Sequence, residues 1–426
     1  MPMSATNAPP AAPSVHSAPD SGTEAVPFRQ FLLKVHSRCN LACTYCYMYE
    51  AADQSWRQRP RSMAPATVRR ASRLMAEHAT EHALSEVHVV LHGGEPLLVG
   101  AQYLEDLLGT VTDALAGIAT PRFSLQTNGI RLVEDPRLLP VLDRHGVRIG
   151  VSLDGTPAAH DRHRRRADGR GSYAATARAL ELLRDPAHRH LFAGLLCVID
   201  PTTDPLETYD ALLRFAPPRL DLLLPHGTWQ APPPGLDARI SPPSAAPAPG
   251  AAACSTPYAD WLCTVFDRWY GAPRRETGIR LFEEIMVLLL GGTARSEVVG
   301  LTPVDLVVVE TDGAIEQADS LKVSYPGAPE TGLHVLRDTF ADAAAHPSFR
   351  ARQRGLGGLG PVCRSCTRSR VCGGGLYAHR YAPGATPVFS APSVYCDDLS
   401  VLVDHIGARL RQDVAALAVP RRKASR

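Results

Sequence analysis

Short apolar or β-branched runs alternate with longer stretches of helical periodicity through the first half of the chain, and this alternation restricts the fold more than any other feature. The runs fall at 30–35, 86–92, 121–126, 147–153, 190–199 and 219–224, and the helical stretches near 65–82, 101–116, 136–145, 172–184 and 205–215. Within 101–116, Leu104, Leu107, Leu108, Val111 and Leu115 lie on one stripe. A strand that returns through a helix to a parallel neighbour does so right-handedly, so six such units predict an α/β fold, a partial (β/α)6 barrel rather than a full eight-stranded one. From about 256 the pattern changes. Two helix-like segments (256–271 and 280–290) precede an apolar strand at 304–310 and a Gly- and Cys-rich region at 355–396 without long elements. The expected organisation is a disordered tail at 1–27, the barrel at 28–229, a Pro/Ala-rich loop at 230–255, a helical bridge at 256–300, a metal-stapled domain at 301–405, and a C-terminal helix with a basic tail at 406–426.

Charge argues against a polyanion partner. Lys plus Arg number 45 and Asp plus Glu 43, a net charge of +2, so no nucleic acid is expected. No apolar run approaches the roughly eighteen residues of a membrane span, and no secretory h-region opens the chain, so neither a membrane association nor secretion is expected. A cytoplasmic location follows. In a reducing compartment the ten cysteines point to metal or redox chemistry rather than disulfides.

Cys39, Cys43 and Cys46 directly follow the first strand with the spacing C-x3-C-x2-C, which puts them at the C-terminal mouth of the barrel, where barrel enzymes keep their chemistry. Three thiolates can hold three irons of a [4Fe–4S] cluster and leave the fourth open. Zinc completed by the nearby His36 is the alternative. The second strand is followed by Gly93-Gly94-Glu95-Pro96, where glycines would let backbone approach a ligand and the carboxylate would suit an ammonium group. The third strand is followed by Gln126-Thr127-Asn128-Gly129 and the fourth by Ser152-Leu153-Asp154-Gly155. Each alone reads as a turn or cap. In series they outline a polar ligand beside the thiols. A second set, Cys363-x2-Cys366-x5-Cys372 with Gly373-Gly374-Gly375 and the distant Cys396, suits zinc and iron–sulfur equally on chemistry alone. Of the remaining cysteines, Cys197 and Cys263 read as packing and Cys254 as a bystander in the Pro/Ala loop.

The C-x3-C-x2-C loop and the Gly-Gly-Glu-Pro motif, in this order and position, resemble those of the radical S-adenosylmethionine (SAM) superfamily. The resemblance implies that the open iron of a [4Fe–4S] cluster binds the amino and carboxylate groups of SAM, whose reductive cleavage gives a 5′-deoxyadenosyl radical. It assigns Glu95 and the Gly93–Gly94 backbone to the methionine amine, Ser152 and Asp154 to the ribose, Tyr45 to the adenine, and Arg164, in His160-Asp161-Arg162-His163-Arg164, to the methionine carboxylate. Thr127 and Asn128 belong to the same SAM-binding series. The second cysteine set resembles the SPASM extension of peptide-modifying enzymes, which implies iron–sulfur there too. Two thiols of the full SPASM pattern are missing: the usual G-x4-C is Gly313-x4-Ala318, and the cysteine expected four places after Cys372 is Leu376. One auxiliary [4Fe–4S] cluster is therefore expected, held by Cys363, Cys366, Cys372 and Cys396.

Asp319 follows Ala318. In sulfatase-maturing SPASM enzymes an aspartate at that place accepts a substrate proton, and a carboxylate beside a hydrophobic peptide channel would have a raised pKa; capping a turn is the alternative. Asp312-Gly313 reads as a hairpin turn. His36-Ser37-Arg38-Cys39-Asn40-Leu41, Leu224-Pro225-His226-Gly227 and Glu310-Thr311-Asp312-Gly313 together resemble FxsB-type cyclophane-forming peptide maturases, a likeness covering about residues 28–400. It implies an oxidoreductase that takes a Cβ hydrogen from a ribosomally made precursor peptide and joins that carbon to an aromatic side chain two positions away, with an electron donor such as ferredoxin or flavodoxin. Formylglycine formation and thioether crosslinking are the alternatives within the class, and a zinc-stapled binding module the alternative outside it.

Overall fold

A computed structural model describes residues 25–239, 241–246 and 255–418. Most of the tail expected at 1–27, the centre of the Pro/Ala-rich loop with Cys254, and the basic end from 419 lie outside the described residues.

The six expected strands form, as β1 (Gln30–His36), β2 (Glu86–Gly93), β3 (Thr120–Thr127), β4 (Arg148–Ser152), β5 (Phe192–Val198) and β6 (Arg219–Leu223). Each pairs with the next in parallel. The five expected helices lie between them as α1 (Pro65–Glu81), α2 (Ala101–Leu115), α4 (Leu138–Arg144), α6 (Tyr173–Arg184) and α7 (Pro205–Leu213), joined by two short helices that the periodicity does not predict, α3 (Ile130–Glu134) and α5 (Pro157–His163). Proline opens α1, α5 and α7, where its missing N–H costs nothing. The stripe on α2 is buried as its spacing requires, with Leu104, Leu107, Leu108, Val111 and Leu115 all in the core.

The sheet does not stop at six strands. It runs to ten. At one edge β6 pairs in parallel with the short β7 (Gly278–Ile279), which follows α8 (Pro257–Tyr270) and precedes α9 (Arg280–Leu289). At the other edge β8 (Leu306–Val309) lies parallel to β1, with Leu32 opposite Val308, and is followed by antiparallel β9 (Ala314–Glu316) and β10 (Glu330–His334). Asp312-Gly313 makes the β8–β9 turn, as its sequence predicts. Gly313 has φ +100°, and a Cβ there would press on His334 and Val335 at 3.0 Å. One apolar core extends from Phe28 and Phe31 through α8 to Leu402 and Ile406 of the C-terminal helix, Cys396–Ala418. The C-terminal extension therefore continues the sheet and shares the core of the barrel. Cys197 is buried in that core and Cys263 packs against it.

His78 shows what this burial does to a titratable group. On α1 its Nε2 lies 3.1 Å from Phe28 O, and the ring packs among Phe28, Phe31 and Phe340. Burial, reinforced by His82, lowers its pKa from 6.5 to about 4. The folded chain thus holds it neutral where the unfolded chain would bind a proton, and its contribution is lost as pH falls from 6.5 toward 4. The stability gap between the parent and a His78→Gln variant should narrow across that window, by on the order of 1.4 kcal/mol for each pH unit. Denaturation midpoints on both sides of the window test this; a gap independent of pH would contradict it.

Candidate active site

The loop after β1 carries the first three cysteines and is pinned at several points. Ala42 N–H donates to Arg165 O (2.7 Å) and Thr44 N–H to His163 O (3.1 Å). The Arg38 guanidinium donates to Ser37 Oγ (2.7 Å) and Trp56 O (2.8 Å) and stacks over the Trp56 ring. Gly93 and Gly94 close on this loop. Gly94 N–H reaches His36 O (2.9 Å) and Glu95 N–H reaches Arg38 O (3.0 Å). A Cβ on Gly93 would sit 2.1 Å from His36 O, and one on Gly94 1.8 Å from Tyr49 Oη. These glycines are required by protein packing, a physical reason different from the ligand approach read in the sequence, although both also line the cavity described next.

Cys39, Cys43 and Cys46 line one cavity of about 330 Å³ together with Gly93, Gly94, Glu95, Thr127, Asn128, Tyr45, Ser152 and Arg164. His36, the alternative zinc ligand, engages the Arg38 backbone through Nδ1. The Glu95 carboxylate is buried and already accepts three hydrogen bonds, from Thr127 Oγ1 (2.7 Å), Asn128 N (2.9 Å) and Leu97 N (3.1 Å). It ties the loop after β3 to the loop after β2 and keeps about one of its four acceptor sites. Asn128 Nδ2 donates to Asn40 Oδ1 (2.8 Å). The buried Arg164, at the C-terminal end of α5, donates to Tyr45 Oη (2.9 Å), and Tyr45 Oη donates to Asp154. Asp154 also accepts from Val198 N (3.1 Å) and faces an adjoining cavity of about 840 Å³ rather than the first.

These residues fit the cofactors of a SAM site. Burial pushes the thiols up, Cys39 to about 12 and Cys43 to about 11, and that of Cys46 as well, so the donors need a metal's positive charge to bind as thiolates. Arg164 Nε is buried without a hydrogen-bond partner at the wall of the same cavity, which suits an incoming carboxylate.

Cys363, Cys366, Cys372 and Cys396 line a separate hollow of about 20 Å³. Burial pushes the Cys372 thiol to about 11 and raises Cys396 further. Among the described residues no three His, Cys, Asp or Glu side chains close on a point that one metal ion would fill; the thiols of both sets line spaces. An all-sulfur donor set around a hollow fits a cluster. Ala318 and Leu376, which stand where the full pattern has two further cysteines, precede the segments 319–323 and 377–380. Around those segments Leu321, Val323, Ala328, Ala378, Tyr381 and Phe389 form a small apolar cluster of their own.

Asp319 departs from expectation. Burial raises its pKa, but Lys34, His92 and Lys322 outweigh burial and hold it below the usual carboxylate range. Lys34 Nζ lies 2.7 Å from Oδ2 and His92 Nδ1 3.5 Å, while Oδ1 has no partner. The expected raised pKa is therefore wrong, because a buried lysine supplies the counter-charge. Asp319 makes no capping hydrogen bond either. Sequence reasoning missed Lys34, His92, His226 and His379. The signal for Lys34 was available: a lysine inside the apolar run Phe31-Leu32-Leu33-Lys34-Val35 cannot face a dry core unpaired. His226 and His379 touch through Nδ1 and Nε2 (3.2 Å) and both line the first cavity; His226 also lines the second.

A parallel α/β sheet places three thiols, a glycine-backed carboxylate and a buried arginine around one cavity at its C-terminal rim, the arrangement expected of a radical SAM site. Residues 33–212 match the family model of the Radical SAM superfamily, whose members use SAM and a [4Fe–4S] cluster. The chain is 25% identical over 289 residues, 66% of this chain and 71% of the relative, to the cysteine-type anaerobic sulfatase-maturating enzyme of Clostridium novyi. It is 33% identical over 165 residues, 39% of this chain and 38% of the relative, to the serine-type enzyme of Klebsiella aerogenes. In three dimensions it superposes on native anSMEcpe with bound AdoMet at a TM-score of 0.70 and 20% identity, covering 91% of this chain and 99% of the other. That likeness is one of fold.

Proposed function

We propose that this enzyme modifies a ribosomally made precursor peptide, joining the Cβ of one residue to an aromatic side chain two positions away. The observation that carries this reading is the second cavity. It shares Tyr45, Cys46, Tyr47 and His226 with the thiol-lined one and is walled by Tyr258, Tyr325, Tyr381 and Pro232 to Pro234. Flat apolar walls with polar tips suit an aromatic side chain. Cys39, Cys43 and Cys46 would hold the SAM-cleaving cluster, and Glu95, Asn128, Ser152 and Arg164 the SAM, with Tyr45 and Asp154 behind Arg164; Cys363, Cys366, Cys372 and Cys396 would hold one auxiliary [4Fe–4S] cluster. When bound, the reduced cluster and SAM supply a 5′-deoxyadenosyl radical that removes a hydrogen atom from a substrate carbon. The residues around it bind and exclude. Arg164 provides fixed positive charge for a carboxylate, Leu376 and His379 close the cavity from the C-terminal side, and Asp319, whose Oδ1 has no partner and whose Oδ2 lies 3.5 Å from the cavity-lining His92, is the group that would take up the proton an arene adduct releases on regaining aromaticity, while the electron released with it would pass to the auxiliary cluster. A ferredoxin or flavodoxin in the cytoplasm would be the electron donor.

A second reading, formylglycine formation, is favoured by the sulfatase-maturating relatives and by the aspartate at position 319. Incubating reconstituted enzyme with SAM, reductant and candidate peptides separates the two. The crosslink predicts loss of two hydrogens per ring, no reaction with an aldehyde probe, and a tandem mass spectrum without cleavage inside the ring. An aldehyde-reactive product would establish formylglycine instead. SAM turnover with an unchanged peptide would count against both.

A further inference from the structure

The second cysteine set carries a feature that its four thiols do not explain. Gly373, Gly374 and Gly375 are consecutively left-handed, with φ of +61°, +79° and +70°, a conformation that side chains resist. A Cβ on Gly373 would sit 1.6 Å from Gly300 O, and one on Gly375 2.9 Å from Leu399 Cδ1. The outer side of this turn is held by one residue. Arg380 Nη2 donates to Gly373 O (2.5 Å) and Gly375 O (2.8 Å), and Nε donates to Gly374 O and Gly375 O (3.2 Å each). Gly374 itself lines the hollow with Cys363, Cys366, Cys372 and Cys396, so the turn sets how its backbone meets the thiols.

The charge of Arg380 is also unusual. The half-buried side chain places its guanidinium between the turn and the Tyr377 ring, 5.6 Å away, and among the described residues it forms no ion pair with a carboxylate. The groups that favour its charged form are the Cys363 and Cys372 thiols and Tyr377. A guanidinium drawn partly out of water without an anion carries a desolvation cost. Thiolates holding an iron–sulfur cluster are anionic, so metal loading would supply the counter-charge that the protein omits.

We infer that Arg380 is the positioning residue and counter-cation of the four-cysteine site, fixing the triple-glycine turn that sets Gly374 against the thiols and balancing the negative charge of a bound cluster. This rests on the reading of these four thiols as an iron–sulfur site. Hydrogen bonds and cations around cluster sulfurs set both retention and reduction potential. Removing the cation penalises the reduced, more negative state and lowers the potential.

The test uses the full chain with Cys39, Cys43 and Cys46 replaced by alanine, so that remaining iron reports on the second set alone. Iron and sulfide per chain, resistance to a chelator, and the midpoint potential from an EPR-monitored titration are compared for the parent, Arg380→Met and Arg380→Lys. In Arg380→Met the potential should move negative and cluster loss to chelator should rise about 10–100-fold. Arg380→Lys should keep most of the potential, because it keeps the charge, yet lose chelator resistance, because it cannot fork across three carbonyls. If Arg380→Met fails to fold, the lysine variant still decides through that split. Parent-like potential and retention in a folded variant would overturn the role of Arg380. A background protein that binds zinc and no iron would overturn the cluster reading, and this inference with it.

Discussion

Replacing Arg164 with alanine is expected to weaken SAM binding about 10–100-fold, because a charge-assisted hydrogen bond to a buried guanidinium contributes about 1.5–3 kcal/mol. Arg164 lines the thiol cavity, carries an unpartnered buried Nε, and is positioned by its own backbone, whose N–H donates to His160 O at the end of α5 (2.9 Å). Iron content should stay at the parent level, since the three thiols come from another loop. Arg164→Lys should recover part of the loss, because it restores charge without the planar fork. Because Arg164 also donates to Tyr45, a Tyr45→Phe variant measures the part of the effect that passes through the Tyr45–Asp154 link. Calorimetric titration of the anaerobically reconstituted protein is the measurement. A change of less than about twofold in Arg164→Ala would remove Arg164 from the SAM carboxylate, since even one weak hydrogen bond exceeds that.

The largest loss of stability is expected from Lys34→Met. Lys34 sits on β1 with its side chain 1% exposed and its ammonium 2.7 Å from Asp319 Oδ2, with Met48 Sδ and His92 Nδ1 as further contacts at 3.4 Å and 3.3 Å. Removing it strands a buried carboxylate whose other oxygen already lacks a partner, at a cost of about 3–5 kcal/mol. Apolar replacement of both partners, Lys34→Met with Asp319→Leu, should recover most of that cost, because the desolvation of two charges disappears with them. Denaturant midpoints of the cofactor-free protein test the pair. A double variant no more stable than Lys34→Met alone would show that the lysine acts by packing rather than by pairing. The same comparison separates stability from catalysis: Asp319→Asn keeps a hydrogen-bond partner for Lys34 but loses the proton acceptor, so it should fold and yet form little product.

Local pattern predicted the barrel well. The stretch read at 65–82 is the helix Pro65–Glu81, and that at 205–215 is Pro205–Leu213, because an amphipathic stripe and an N-terminal proline are contained within the segment itself. Short elements such as Ile130–Glu134 have fewer than two turns and leave no periodicity to detect. The cysteines and the loops after β2, β3 and β4 were legible because the order of strands sends them to one rim. Electrostatics was not. The groups that set the charge of Asp319 are Lys34, His92 and Lys322, two of them more than two hundred positions away in the chain. The pairing of β1 with β8 was hidden for the same reason, since nothing near residue 32 indicates a partner at 308.

That pairing has a consequence for how the chain is made. β1 is an inner strand, yet one of its two neighbours is synthesised some 270 residues after it. Until then a nascent chain presents a sticky apolar flank of Phe31, Leu33 and Val35 beside unpaired backbone groups, the kind of edge that invites aggregation. Completion of the sheet must wait for the last third of the polypeptide, and a pairing across so much sequence is of the kind that slows folding.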